Sequence, residues 1–284
     1  DTGSEDGTQE ICRNSGAVVY SFPWSGSFSE ARNFALGFVR TDWVLALDAD
    51  EELDAESLAA QLHLLADEKC GGVRVWIHNQ LGSSGQTSTS KHSYTRLFRS
   101  RKEIRYTGRI HEQIAESIVR AGFDIADSEI IIRHTGYEAN DPAKAQRNLR
   151  LLLDDLADAP GDPFIIYHIA ESEFALGQYD EALRNFQFVH TSSGLSDAQR
   201  EMSRLRIAQI LLRRDDAARM FEILTFESAD ADREGFRKYL EAIACLILQD
   251  YKRAKALLGA RETAESALVD QTNRGKLVDA LCAV

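Results

Sequence analysis

The sequence predicts an α/β domain followed by an all-α domain. In the first half of the chain, short β-rich runs alternate with segments of helical periodicity. After Pro142 the β-rich runs fade, and helical periodicity continues almost to the end. Alternating strands and helices indicate βαβ units and a mainly parallel sheet. Because 284 residues suffice for two domains, we expect an α/β domain over residues 1–140 and a helical domain over residues 141–284.

Five runs in the first domain have the composition of strands: residues 17–22, 43–47, 72–77, 94–98 and 129–134. Two helices are predicted between them, over residues 29–39 with Ser29 as the N-cap, and over residues 54–67. Their apolar faces carry Phe34, Ala35 and Phe38 in the first helix, and Leu58, Leu62 and Leu65 in the second.

The second domain contains a repeating helical pattern. Its clearest segment is YHIAESEFALGQYDEALRNF, residues 167–186, and alanines recur at intervals of 36 residues at Ala182, Ala218 and Ala254. This interval is close to the period of roughly 34 residues in tetratricopeptide arrays. We expect these alanines to lie where paired helices approach closely, with Tyr179 and Tyr251 filling the turns. The pattern predicts two or three tetratricopeptide-like repeats, and an unrelated helical bundle is the alternative.

Composition excludes several classes of protein. The chain has 45 acidic and 33 basic residues, a net charge of -12, which argues against binding to nucleic acid. It lacks the run of roughly 18 apolar residues that an integral membrane protein needs. Its first residues do not resemble a signal peptide, and its four cysteines are far apart and form no CxxC pair. We expect a reducing, cytoplasmic location.

The segment WVLALDADEEL, residues 43–53, carries the strongest chemical signal. Its apolar residues indicate a buried strand, and ligands bind beyond the carboxyl ends of such strands. Asp48 and Asp50 are two residues apart, so in an extended chain both carboxylates can face one divalent cation. The alternative is that they cap the next helix. We expect the neighbouring acids to be solvated or helix-capping residues: Glu51, Glu52 and Asp54.

Three further segments carry candidate site residues. DTGSEDGT, residues 1–8, has the glycine and hydroxyl content of a turn that contacts nucleotide, with Asp6 expected as a helix cap. Between residues 91 and 109 there are seven basic residues and one acid, followed by HEQ at 111–113. Solvated charge is the usual explanation of such a run, but a glutamate here could act as a general base. His134 ends an apolar strand, where a structural role is the alternative to metal binding.

Together these segments resemble the family 2 glycosyltransferases of the GT-A fold, in the bacterial branch that carries tetratricopeptide repeats after the catalytic domain. The matching segments occur in the family's order: DTGSEDGT (1–8), FSEARNFAL (28–36), LDADEEL (47–53), RLFR (96–99), GRIHEQ (108–113) and HTGY (134–137). The resemblance covers nearly the whole chain. It implies an inverting, metal-dependent hexosyltransferase with a Rossmann-like GT-A domain.

The resemblance also implies a role for each candidate residue. Glu112 corresponds to the catalytic base, on a loop that begins at Gly108. Asp50 and His134 correspond to the ligands of Mn²⁺ or Mg²⁺. Five residues are expected to bind the nucleotide-sugar: Asp1 at the base, Arg32 at the nucleotide, Asp48 at the ribose, Gly108 and Arg109. Arg109, together with Arg105, would add positive charge near the diphosphate.

The expected partners are a nucleotide-sugar donor, with UDP as the commonest nucleotide, and a peptide, protein or glycan acceptor held by the repeats. Family members carry a strand, a helix and a second strand before the first motif, so we expect a chain that begins at Asp1 to be truncated and to bind donor poorly. Two alternatives are a non-catalytic repeat scaffold with a degraded transferase domain, and metal-dependent hydrolysis by the acidic cluster.

Overall fold

A computed structural model describes residues 1–81, 88–135 and 142–282. The chain divides into two compact units, residues 1–139 and 140–284. The first unit is a mixed sheet with helices, and the second is a series of helices, as the sequence predicts. In the described part of the chain, no helix is both long enough and apolar enough to cross a bilayer.

The first unit is built on a five-stranded sheet in the order β1-β4-β3-β5-β2. The strands are β1 (Trp43–Leu45), β2 (Glu51–Leu53), β3 (Cys70–Leu81), β4 (Ser88–Arg99) and β5 (Asp124–His134). Among the described strands, only β3 and β5 pair in parallel, and the other neighbours are antiparallel. The expectation of a mainly parallel sheet is therefore wrong. One cause is that only residues 82–87 separate β3 from β4, fewer than the roughly dozen residues that a crossover between parallel strands requires.

The helices of this unit are α1 (Thr8–Asn14), α2 (Phe28–Leu36), α3 (Ala55–Gln61) and α4 (Ala115–Arg120). Two apolar clusters lie in the unit. One contains Val73, Val75 and Ile132 with side chains from the α3 region, and the other contains Phe98, Ile104 and Ile118 with Leu36 of α2.

Two details near the start of the chain differ from the sequence prediction. Residues 17–22 form no strand; their backbone contacts Asp1, through Phe22 N to Asp1 O at 2.8 Å and Asp1 N to Tyr20 O at 2.7 Å, and the Ala17 amide donates to Cys12 O at 3.0 Å. Ser27 rather than Ser29 caps α2, and its Oγ accepts from the Glu30 amide.

The predicted helix over residues 54–67 changes type in the middle. α3 is followed by a 3₁₀ helix over Leu62–Ala66, and this shift of period turns Leu62 outward, where it is 51% exposed. Leu58, Leu64 and Leu65 pack against the core instead. Asp54 caps α3 as expected, accepting from the Ser57 amide at 3.0 Å.

The second unit contains consecutive antiparallel hairpins. Its helices are α5 (Pro142–Asp158), α6 (Pro163–Ala175), α7 (Tyr179–Val189), α8 (Asp197–Leu212), α9 (Ala217–Ile223), α10 (Ala231–Ile247), α11 (Tyr251–Gly259), α12 (Arg261–Glu265) and α13 (Gln271–Cys282). The hairpins α6–α7, α8–α9 and α10–α11 share one turn geometry. Each turn places a left-handed residue directly before the N-cap of the second helix: Gly177, Asp215 and Gln249.

These turns correct the sequence alignment of the middle repeat. Ala182 and Ala254 are fully buried at the fourth residue of α7 and α11, as expected for close helix packing. The equivalent position in α9 is the buried Met220, whereas Ala218 is exposed. The regular interval of 36 residues is thus accidental, because α7 has 11 residues and α9 has 7, so the equivalent positions are not evenly spaced. Tyr251 is 49% exposed and does not fill its turn.

Candidate active site

Asp48 lies three residues beyond β1, where helix α2 brings Arg32 beside it. Arg32 Nη2 donates to Asp48 Oδ1 at 2.7 Å, and its Nε donates to Glu112 Oε1. One guanidinium therefore joins two of the predicted site residues that are far apart in sequence. The planar fork of arginine suits this double contact, which a lysine could not reproduce.

The loop that carries Glu112 is fixed against α2. Asn33 and Tyr106 bond reciprocally: the Asn33 amide donates to Tyr106 O at 2.9 Å, and Tyr106 N donates to Asn33 Oδ1 at 2.9 Å. The amide of Phe28 donates to Arg109 O at 2.8 Å. Gly108 has a φ of 88° and His111 a φ of 52°, so the loop turns twice through left-handed backbone. These bonds hold Glu112 where Arg32 can reach it.

Arg96 on β4 completes the charge network, and sequence reasoning did not assign it a role. Its Nη2 donates to Asp48 Oδ2 at 2.9 Å and to Glu51 Oε1 at 2.8 Å. Glu51 was expected to be solvated or to cap a helix, but its side chain is only 3% exposed and it accepts from the Asp48 amide at 2.8 Å. No spacing in the sequence distinguishes Glu51 from its exposed neighbour Glu52, since only the pairing of β4 with β1 brings Arg96 to it.

Opposite charges dominate the electrostatics of this network. Burial would raise the pKa of Asp48, but the charges and hydrogen bonds of Arg96 and Arg32 outweigh it and lower that pKa below its usual value. Burial would likewise lower the pKa of Arg32, whereas Glu112 and Asp48 raise it above its usual value. Asp48 is therefore an ionised acceptor at neutral pH.

Tyr106 packs beneath Arg32. The guanidinium carbon of Arg32 lies 5.6 Å from the centre of its ring, within the range of a cation–π contact. The Tyr106 hydroxyl is buried and has no hydrogen-bond partner among the described residues. Burial raises the pKa of Tyr106 to about 12, so the ring is a neutral support for the charges above it.

Asp50 and His134 form a second pair beside this network. The register of β2 against β5 places Glu51 opposite His134, and this brings Asp50 Oδ2 within 3.1 Å of His134 Nε2. The buried Asn79 on β3 orients the imidazole, since its Oδ1 lies 2.8 Å from His134 Nδ1. Its Nδ2 lies 3.2 Å from His92 Nδ1, so the Asn79 side chain can donate to His92 while it accepts from His134.

This arrangement suits a divalent cation. With Nδ1 of His134 beside the Asn79 carbonyl oxygen, Nε2 faces the Asp50 carboxylate, and a ring nitrogen and a carboxylate oxygen at this distance can bind one cation together. Asp48 is held on both oxygens by arginines and does not share this position. No group of three or more His, Cys, Asp or Glu side chains suited to a metal occurs within the described ranges. Asp50 and His134 could together contribute two ligands to a metal at this position.

The other predicted residues lie in different surroundings. The Asp1 carboxylate accepts from the amides of Gly3 and Ser4 at 3.0 and 3.1 Å and from the Gln9 side chain at 2.8 Å. Arg105 donates to the carbonyls of Arg101 and Ile104 and lines a separate cleft beyond the carboxyl end of α2, away from Arg32. No contact of Arg105 with Arg32, Asp48 or Glu112 occurs among the described residues, and its role near the diphosphate stays a prediction. Gly136 and Tyr137 of the HTGY segment lie outside the described residues.

Comparison with known proteins agrees with the resemblance seen in the sequence. Residues 1–133 match the family described as Glycosyl transferase family 2. A TPR repeat-containing protein of Synechococcus elongatus is 33% identical over 177 residues, which cover 58% of this chain. The chain spans 42% of the length of that curated relative. A TPR-like helical region thus follows the first unit, and residues 1–133 are similar to glycosyl transferase family 2.

Proposed function

We propose that this chain transfers a sugar from a nucleotide-sugar to an acceptor with inversion at the anomeric carbon. The observation that carries the proposal is the contact of Arg32 with both Asp48 and Glu112. It joins a candidate ribose acceptor to a candidate base in a domain that is similar to a glycosyltransferase family. We propose residues 1–140 as the catalytic domain and residues 141–284 as the domain that holds the acceptor.

Glu112 is the proposed general base. Arg32 contacts its Oε1 atom, so Oε2 is available to take a proton from the acceptor hydroxyl. As this proton moves to Glu112, the acceptor oxygen forms a bond to the anomeric carbon, and the bond from that carbon to the diphosphate oxygen breaks on the opposite face. The products are the glycosylated acceptor and a nucleoside diphosphate. The Glu112 proton then passes to solvent.

The remaining residues bind the donor. Asp48 accepts from the ribose hydroxyls, since Arg96 and Arg32 fix its orientation and keep it ionised. Asp1, Gly108 and Arg109 are proposed to contact the nucleotide-sugar as the family resemblance implies. Asp50 and His134 would hold Mn²⁺ or Mg²⁺, which supplies Lewis-acid stabilisation of the leaving diphosphate when bound. UDP is the proposed nucleotide.

The acceptor is proposed to be a peptide, protein or glycan bound by the helical repeats. Helical arrays of this kind present an extended concave surface. Support comes from the three hairpins with one turn geometry and from the repeats named in the relative from Synechococcus.

The test is calorimetric titration of UDP and of GDP into the full chain, first with Mn²⁺ and then with EDTA. The proposal expects one nucleotide to bind with Mn²⁺ and to bind at least tenfold more weakly with EDTA. Nucleotide binding should be lost in Asp50→Asn. It should be kept in Glu52→Gln, a matched control because Glu52 is an exposed acid on β2. Absence of nucleotide binding under every condition would contradict the proposal and favour a repeat scaffold with an inactive transferase domain.

A further inference from the structure

A cleft in the first unit, apart from the candidate active site, is lined by basic side chains. It has a volume of about 380 Å³ and lies between the carboxyl end of α2 and the segment that follows β4. Within the described ranges its lining contains no Asp or Glu. Five lining residues are cations: Arg40, Arg99, Arg101, Lys102 and Arg105.

The arginines of this cleft bond to backbone carbonyls and not to carboxylates in the part of the chain that the structure describes. None of the five cations forms an ion pair with a carboxylate among the residues that the structure describes. The arginines instead donate to backbone carbonyls: Arg40 to Gly37 and Val39, Arg101 to Ser100, and Arg105 to Arg101 and Ile104. Carbonyls orient the guanidinium groups but leave their full charge in place. This concentration of charge is unusual in a chain with a net charge of -12.

Arg99 differs from the other four cations because it is part of the scaffold. Its Nε donates to Cys70 O at 2.7 Å, its Nη2 donates to Asp67 O at 2.9 Å, and its guanidinium lies 4.8 Å from the Trp43 ring centre. Arg40, Arg101 and Lys102 are exposed and Arg105 is half-buried, so these four can approach a ligand.

The cleft is separate from the candidate active site. Arg99 pairs with Trp43 at the start of β1, whereas Asp48 follows the end of that strand. α2 runs between the two places: Arg32 at its midpoint contacts Asp48, and Arg40 lies beyond its last residue. A ligand in the cleft would therefore leave the network of Arg32, Asp48 and Glu112 free.

We propose that this cleft binds an oligophosphate, a ligand with two or more adjacent phosphate groups. Guanidinium groups form paired, charge-assisted hydrogen bonds with phosphate oxygens. A single carboxylate would neutralise one of four available cations, whereas a diphosphate brings two or three negative charges into a space of this volume. The proposal does not rest on the glycosyltransferase reaction.

The experiment is calorimetric titration of inorganic pyrophosphate and tripolyphosphate into the full chain in EDTA, at low and high NaCl. The test variant is Arg101→Gln with Lys102→Gln, two exposed positions. The charge-matched control is Arg74→Gln with Arg120→Gln, exposed arginines that pair with Asp127 and Glu116. Arg40→Gln provides a second cleft variant, and circular dichroism checks the folding of each.

We expect pyrophosphate and tripolyphosphate to bind with an affinity that weakens with salt. This affinity should fall at least tenfold in the cleft variants and be unchanged in the control and in Arg32→Gln. Co-sedimentation with vesicles of phosphatidylcholine and phosphatidic acid tests binding to a lipid headgroup that carries a single phosphate. Binding to these vesicles but to neither oligophosphate would overturn the proposal. The proposal would be overturned if neither oligophosphate binds, or if the control loses as much affinity as the cleft variants. It would also be overturned if Arg32→Gln loses affinity while the cleft variants keep it.

Discussion

Asp50 Oδ2 lies 3.1 Å from His134 Nε2, although 84 residues separate them in the chain. β2 creates this contact by pairing with the end of β5, and Asn79 fixes the imidazole from the other side. Sequence reasoning named both residues, but it did not predict β2 or the role of Asn79.

Removing either member of this pair should remove metal-dependent nucleotide binding. We expect Asp50→Asn and His134→Ala each to abolish the difference between titrations with Mn²⁺ and with EDTA, because each variant deletes a ligand atom. Asn79→Leu keeps both ligands but frees the imidazole, and outer residues of this kind typically change metal affinity by about 10–100-fold. An Asn79→Leu protein with unchanged Mn²⁺ dependence would contradict the positioning role.

Glu112→Gln should separate binding from catalysis. The amide oxygen can still accept from Arg32, but it cannot take the acceptor proton, and loss of a general base typically costs about 10²–10⁴-fold in rate. We expect nucleotide affinity to change less than threefold while transfer to the acceptor falls by that factor. Glu116→Gln, an exposed position on α4, is the matched control. Equal loss of affinity and rate would instead assign Glu112 a binding role.

The contribution of Asp48 to stability should depend on pH. Its pKa is lowered in the folded state by Arg96 and Arg32, despite the opposing effect of burial. Its stabilising contribution is thus fully present above the unfolded pKa of about 3.9, and it is lost as pH falls through the lower folded value. Urea unfolding should show that Asp48→Asn destabilises more at pH 7 than at pH 3. Asp127→Asn, an exposed acid on β5, should have little effect at either pH.

Tyr106→Phe should leave stability at neutral pH almost unchanged. The hydroxyl is buried without a hydrogen-bond partner among the described residues, so the folded protein bears the cost of its desolvation. Removing it should raise the free energy of unfolding by between zero and about 1 kcal/mol. The folded pKa of about 12 exceeds the unfolded value of about 10. The stability of the wild-type protein should therefore fall as pH rises through this interval, and the stability of Tyr106→Phe should fall less. Destabilisation by more than 1 kcal/mol at pH 7 would show that the hydroxyl has a partner.

The repeat turn at Gln249 offers a stabilising substitution. Gln249 has a φ of 63°, where Gly177 stands in the first hairpin, and the Asp250 amide closes the turn by donating to Cys245 O at 2.8 Å. Because glycine adopts this conformation without strain, Gln249→Gly should stabilise the protein by about 0.5–1 kcal/mol in urea unfolding. Gln249→Ala retains the strain and should give no gain. Destabilisation by Gln249→Gly would show that the side chain itself contributes.

The sequence determined the order of the two domains, the strands β1, β3, β4 and β5, and the identity of Arg32, Asp48, Asp50, Glu112 and His134 as candidate residues. Local pattern sufficed for these, because a buried strand followed by acids and a periodic apolar face are properties of neighbouring residues. The same reasoning misplaced the cap of α2 and the alanine of the middle repeat, since a shift of a few residues leaves a local pattern almost unchanged.

Tertiary structure decided which charges meet. Arg96 reaches Asp48 and Glu51 through the pairing of β4 with β1, and Arg105 turns away from the site into the basic cleft. Glu51 and Glu52 are chemically equivalent neighbours in the sequence, yet one is buried against an arginine and the other is exposed. Ion pairing depends on distances of a few ångströms between distant parts of the chain, and these distances exist only after the strands have found their register.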